Sequence, residues 1–168
     1  MTKLKRTLYF AYGSNMNLPQ MDVRCPDAVR IGPAVLDGYR IEFCGNGHTG
    51  VATLLPQADC QVNGVLWEIS EADESRLDHY EGYPWLYGKD IIEVSSRGES
   101  IRTMVYRMNS PYCDHLAPPS KGYLQCLLAG CAQNSLSDRP VREAAMRAER
   151  TRATQIPDKP IRHRGDER

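Results

Sequence analysis

Leu8-Tyr9-Phe10-Ala11-Tyr12-Gly13-Ser14-Asn15-Met16 is an aromatic-rich apolar run that stops abruptly at a glycine. Such a run suits a buried strand, and Gly13 can take backbone angles that residues bearing a Cβ avoid. A strand ending this way presents backbone N–H groups at its mouth. With the Ser14 hydroxyl and the Asn15 amide, those groups form a candidate cradle for a carboxylate or a developing oxyanion. Taken alone, the segment is a plain strand-to-loop turn. The rest of the chain changes its meaning.

Working outward, strand-like stretches fill the first two-thirds: Thr7–Tyr12, Ala28–Leu36, Tyr39–Cys44, Val51–Leu55, Gln61–Ile69, Asp90–Ser95 and Ile101–Met108. Gly, Asn and Pro turns separate them. Helical patterns appear at Glu71–Tyr80, Lys121–Asn134 and Arg139–Arg150. Many strands with few helices argue against regular βαβ alternation and for an α+β fold on a mixed, mostly antiparallel sheet. Leu124, Leu127, Leu128 and Cys131 fall at i, i+3, i+4 and i+7, a core-facing stripe. Tyr123 lies beside that stripe, either as a pocket-facing phenol or as a structural tyrosine.

The second informative stretch is Leu77-Asp78-His79-Tyr80-Glu81-Gly82-Tyr83-Pro84-Trp85-Leu86-Tyr87. Ser70 and Asp73 read as a capping box with Asp in place of Glu, so a helix opens at Glu71. Leu77 and Tyr80 share a face, Gly82 ends the helix, and Pro84 forbids its continuation. Glu81 therefore sits at a helix C-terminus among Tyr80, Tyr83, Trp85 and Tyr87. Desolvation and the negative end of the helix dipole both disfavour its anion. A raised pKa suits a group that takes and returns a proton near neutral pH. A surface glutamate closing a helix fits the same residues equally well.

Taken together, Tyr12-Gly13-Ser14-Asn15-Met16 and Leu77-Asp78-x-x-Glu81-Gly82 resemble the gamma-glutamylcyclotransferase family. Pro118-Pro119-Ser120-Lys121-Gly122-Tyr123-Leu124 strengthens the likeness, as do Gly50-Val51-Ala52-Thr53 and Gly64-Val65-Leu66-Trp67. The similarity runs from about Leu8 to Arg150 in the family's order and spacing. It implies a sheet curled into a small β-barrel with flanking helices. It also implies conversion of a γ-glutamyl amino acid or amine into 5-oxoproline and the free amine, with no cofactor and no metal. By resemblance, Glu81 is the acid/base; Tyr12, Gly13, Ser14, Asn15 and Met16 belong to the substrate-binding loop; Tyr87 and Tyr123 line the pocket. The stretch Tyr83–Tyr87 is closer to the branch acting on γ-glutamylamines, whereas the Tyr123 region is closer to the branch acting on γ-glutamyl amino acids. The leaving group is thus open.

Bulk properties set the frame. The chain has 168 residues with 21 basic and 21 acidic side chains. That length fits one domain, over 1–150, with a polar, basic tail over 151–168. From Arg139 to Arg168 nine Lys/Arg oppose five Asp/Glu, giving +4 there and −4 in the remainder. The tail is mixed in sign and lacks aromatics, so neither nucleic acid nor a membrane is an expected partner. The expected partner is a small-molecule γ-glutamyl substrate; the oligomeric state, a homodimer included, is open. Six cysteines show no C-x-x-C spacing, and the four histidines show no ligand spacing. The first residues carry no secretory pattern, which points to the cytoplasm and reduced thiols.

Gly45-Asn46-Gly47-His48-Thr49-Gly50 matches G-x-G-x-x-G, the dinucleotide fingerprint, but it opens a β-prone run ending at Pro56 rather than a helix. A hairpin loop, and a candidate lid over the pocket, fits better than a nucleotide site. Two rival functions use the same residues. One is a hydrolase with Ser14 as nucleophile and His48 or His79 as base, although no G-x-S-x-G elbow surrounds Ser14. The other is a non-catalytic ligand-binding or interaction module.

Overall fold

The structure is a computed structural model that describes residues 4–45 and 49–155. Five strands, β1 (Arg6–Ala11), β2 (Val29–Cys44), β3 (Val51–Ser70), β4 (Tyr87–Ser96) and β5 (Glu99–Met108), carry four helices. The helices are α1 (Leu18–Arg24), α2 (Glu71–Glu81), α3 (Lys121–Gln133) and α4 (Arg139–Gln155). The strands close a barrel in the order β1-β3-β2-β4-β5. All neighbours are antiparallel except β1 and β5, which meet in parallel at Tyr9 and Met104. This is the α+β barrel with a mixed, mostly antiparallel sheet expected from the sequence. Phe10, Leu54, Val65, Leu66 and Ile69 are fully or almost fully buried in its core.

Two features differ from the sequence expectation. The segments Ala28–Leu36 and Tyr39–Cys44 are one strand, β2, and Val51–Leu55 and Gln61–Ile69 are one strand, β3. Asp37-Gly38 reads as a turn, yet the chain only kinks there. Asp37 pairs with Gln61 and Tyr39 with Pro56, and Gly38 takes φ +80°. The extra β3 residues bulge out while both strands carry on, which lets a long hairpin bend around a small barrel. The second difference is α1, which the periodicity did not reveal. Asn17 caps it by accepting from Gln20 N–H at 3.1 Å, and Pro19 sits in its first turn. Only Met21 is buried on this seven-residue helix, too little to make an apolar stripe.

The Gly45–Gly50 segment joins β2 to β3 and opens a strand, as its composition suggests. Gly50 N–H donates to the Pro118 carbonyl at 2.7 Å, and a Cβ on Gly50 would fall 1.8 Å from the Ala117 oxygen. Only glycine fits so close an approach. The lid expectation falls on 46–48, outside the described residues. At the other end, α4 continues to Gln155, past the expected domain boundary at 150, and 156–168 lie outside the described residues. No described helix is long and apolar enough to cross a membrane.

An ion pair pins α4 to the barrel. Glu42, on β2, is 1% exposed; Arg147 Nε lies 3.0 Å and Arg40 Nε 2.7 Å from its Oε1. Arg147 also donates to the Ile41 carbonyl at 3.2 Å.

Candidate active site

A cavity of about 210 Å³ opens at one end of the barrel, where the loop after β1 meets the C-terminus of α2. On one side lie Tyr12, Gly13, Ser14 and Asn15; opposite them are Tyr80 and Glu81; Tyr87, Tyr106 and Tyr123 complete the wall. Of the site residues named from sequence, seven thus border one cavity. Met16 does not. Its side chain is 1% exposed and packs in the core, next to the close crossing of Gly130 on α3.

The position of Glu81 follows from local sequence. Ser70 accepts from Asp73 N–H at 3.1 Å while Asp73 accepts from Ser70 N–H, so the expected capping box forms and starts α2. Gly82 ends it in the left-handed region, φ +64°. Leu77 is fully buried and fixes the helix on the barrel, which aims Glu81 into the cavity. Burial raises the Glu81 carboxyl from 4.5 to about 7, and the Arg24 cation pulls it partly back. The aromatic setting is real but differently composed. Trp85 is 80% exposed and Tyr83 also faces solvent, whereas Tyr9, Tyr12, Tyr87, Tyr106 and Tyr123 surround the acid. These phenols are all held above their usual range, by burial first, so they remain protonated donors.

Beyond β1 the chain turns through a short 3-10 segment, Ser14–Met16. The backbone N–H groups of Ser14 and Asn15 find no acceptor among the described residues. The side chains, by contrast, are committed. Asn15 donates to the Tyr9 hydroxyl at 3.0 Å and accepts from Arg24 Nη1 at 2.6 Å. The Ser14 oxygen accepts from the same Nη1 at 3.0 Å. Any cradle here would therefore be main chain first, since the Asn15 amide is engaged with Tyr9 and Arg24.

Hydroxyls frame the far wall. Ala52, at the start of β3, donates its N–H to the Tyr123 oxygen at 3.0 Å. Tyr87 donates to the Ala52 carbonyl at 2.6 Å, and Tyr12 to the Tyr106 carbonyl at 2.6 Å. No described group accepts the Tyr123 or Tyr9 proton, so both are free for a ligand. Tyr106 instead donates to Asp78 at 2.6 Å, and Lys89 pairs with Asp78 and Glu74 behind it.

Tyr9, Tyr106 and Arg24 are the residues that sequence reading missed. Tyr9 lay within the opening motif, at i−3 from Tyr12, on a strand assumed to be core throughout. Arg24 sits on the helix that was not anticipated. His79 is exposed, and no described histidine hydrogen-bonds to Ser14; His48 lies outside the described residues. Among the described residues no cluster of His, Cys, Asp or Glu is arranged to hold a metal ion.

Known proteins show the same arrangement of sequence and fold. Residues 9–125 match the family described as gamma-glutamyl cyclotransferase, AIG2-like. A Mus musculus gamma-glutamylcyclotransferase is 34% identical over 77% of this chain and 72% of its own length. The Homo sapiens protein of that name is 30% identical over the same shares. A solved gamma-glutamyl cyclotransferase superposes with a TM-score of 0.74 at 26% identity, covering 96% of this chain and 93% of its own. With a family match over residues 9–125, relatives at 30–34% identity and a shared fold, the chain belongs to the gamma-glutamylcyclotransferase family of enzymes.

Proposed function

We propose that this enzyme converts a γ-glutamyl amino acid or γ-glutamylamine into 5-oxoproline and the free amine, with Glu81 as the acid/base. The observation that carries the reading is the shared cavity: a carboxyl raised to about 7 and two unengaged main-chain N–H groups border one space.

The chemistry follows from that pairing. The substrate's α-amine attacks its own γ-carbonyl carbon, forming the ring C–N bond. Since nucleophile and electrophile share one molecule, holding the substrate folded supplies much of the rate. Negative charge builds on the carbonyl oxygen, where main-chain N–H groups and the free phenolic protons of Tyr9 and Tyr123 stabilise it. Glu81 takes the proton released by the attacking nitrogen. It then gives that proton to the departing nitrogen as the original amide C–N bond breaks and the carbonyl re-forms. One carboxyl performs both transfers, and it ends as it began. No redox partner or metal is required by this balance.

Incubation with γ-glutamyl-alanine, γ-glutamyl-ε-lysine and glutathione, followed by assay for 5-oxoproline, tests the reading and ranks the leaving groups. Release of 5-oxoproline with at least one of the first two is the expected result. Release of glutamate in its place would mean hydrolysis through water or Ser14. Binding without any product would make the fold a ligand-binding module.

A further inference from the structure

We propose that Arg24 is a positioning residue for this reaction, clamping the loop after β1 to the C-terminal end of α2 so that the substrate-binding amides and the Glu81 carboxyl are held in one frame. The inference rests on the Glu81 reading above, and none of the site residues expected from sequence has this role.

The clamp has two jaws. On the loop side, one nitrogen, Nη1, lies 3.0 Å from Ser14 Oγ and 2.6 Å from Asn15 Oδ1. On the helix side, the guanidinium carbon lies 3.4 Å from the ring centroid of Tyr80, the residue next to Glu81. Gln20, one turn earlier on α1, steadies the group. With its amide oriented to satisfy its neighbours, its oxygen lies 2.8 Å from Nη1. The loop is anchored to the barrel by Trp67 Nε1, which donates to the Asn15 carbonyl at 3.2 Å. It is anchored to the end of α3 by Asn134 Nδ2, which donates to the Met16 carbonyl at 2.8 Å, while Leu77 seats α2 separately. α1 buries only Met21, and Tyr80 is 48% exposed. The stack and the fork together make Arg24 a direct bridge between the two halves of the site.

The residue type matters. A planar guanidinium can lie flat on a phenol while its edge donates to two oxygens; an ammonium cannot do both. The charge matters as well. Among the described residues no carboxylate lies within salt-bridge distance of Arg24. The groups that face Glu81 are the neutral phenols of Tyr9 from β1, Tyr12 from the loop after it, Tyr87 from β4, Tyr106 from β5 and Tyr123 from α3. His79 is exposed, and Asp78 pairs with Lys89, a cation it shares with Glu74. Among the described residues Arg24 is thus the cation that acts on the Glu81 carboxyl, and it favours the anion.

Two consequences separate this role from a merely structural one. Removing the charge must move the titration of Glu81 upward, and loosening the loop must weaken substrate binding as well as turnover. The test compares the full chain with Arg24→Gln, Arg24→Lys and Tyr80→Leu. Each is read by kcat and KM for 5-oxoproline release across pH and by the 13C-NMR titration of Glu81. Expected results are a tenfold or greater loss of kcat/KM in R24Q and an upward shift of the Glu81 titration. R24K restores the titration but not the full rate. An R24Q protein that folds with the Glu81 titration and kcat/KM both unmoved would overturn the proposal. If R24Q does not fold, Y80L decides: it keeps the cation and removes the stacking face, so a several-fold loss of kcat/KM supports the clamp and wild-type kinetics refutes it. Failure of the Glu81 reading shows separately, as normal turnover by Glu81→Gln.

Discussion

The Ala52 N–H points at the Tyr123 hydroxyl oxygen, 3.0 Å away, so a residue of α3 closes an open main-chain donor of β3 while its own proton meets no acceptor among the described residues. That geometry gives Tyr123 a job in the fold and, in the proposed reaction, a second one at the substrate.

Tyr123→Phe should therefore lose both. Leaving the Ala52 N–H without a partner costs about 1–3 kcal/mol of stability. Losing a donor to the developing oxyanion costs on the order of 10²-fold in kcat. Tyr87→Phe orphans the carbonyl of the same residue, since Tyr87 donates its only proton there. It should destabilise comparably while reducing kcat far less. Denaturant midpoints and turnover for the two variants check the contrast; equal losses of kcat would mean that Tyr123 acts only through β3.

Glu81→Gln preserves shape and removes the proton shuttle. Turnover is expected to fall by roughly 10²–10⁴-fold, the usual worth of a placed acid/base, with the circular dichroism spectrum unchanged. Release of 5-oxoproline at near-normal rates by this variant would exclude Glu81 from the chemistry.

The carboxyl also couples stability to pH. Its value is about 7 in the folded chain against 4.5 for a free side chain. Between those values the folded state binds more protons, so this group's contribution to stability declines as pH rises through the window. E81Q should match the parent near pH 4 and exceed it above pH 8, on the order of 1–3 kcal/mol. Thermal melts of both proteins at the two pH values measure it. In the parent, kcat/KM should climb with pH to a plateau, with its acid limb near pH 7, because the attack step needs the carboxylate.

Arg147→Ala removes one of the two cations that compensate Glu42, a carboxylate with 1% exposure. An uncompensated buried charge typically costs about 3–5 kcal/mol, and Arg40 retains part of the pairing, so roughly 2–3 kcal/mol is expected. Replacing both, Arg147→Met with Glu42→Leu, should recover most of the loss. A double variant as unstable as the single would show that α4 is held by something other than this pair.

The legible parts of the sequence were those in which local chemistry and tertiary context agree. Ser70, Asp73, Gly82 and Pro84 mark the ends of α2 by capping and turn rules that need no distant partner, so the place of Glu81 was readable. Gly13 after an aromatic run marked the loop for the same reason. Asp37-Gly38 misled because a turn signal and a bulge signal are the same residues; only the pairing of β2 with β3 decides which forms. The aromatic wall is legible in Tyr12, Tyr87 and Tyr123 but not in full: Tyr83 and Trp85 are neighbours of Glu81 in sequence, whereas Tyr9 and Tyr106 reach it from two other strands. Arg24 was hidden twice, by a short helix and by partners separated from it in the chain.

Tyr9 stands on the seam where the barrel closes, its strand meeting β5 through the Tyr9–Met104 bridge. Its phenol reaches Asn15, and its ring meets Tyr106 edge-on at 5.8 Å. A chamber built on such a joint of a closed sheet, if it houses the proposed chemistry, can register strain before the hydrophobic interior does. Prying that joint apart would silence the enzyme while most amides in the barrel still resisted exchange with solvent.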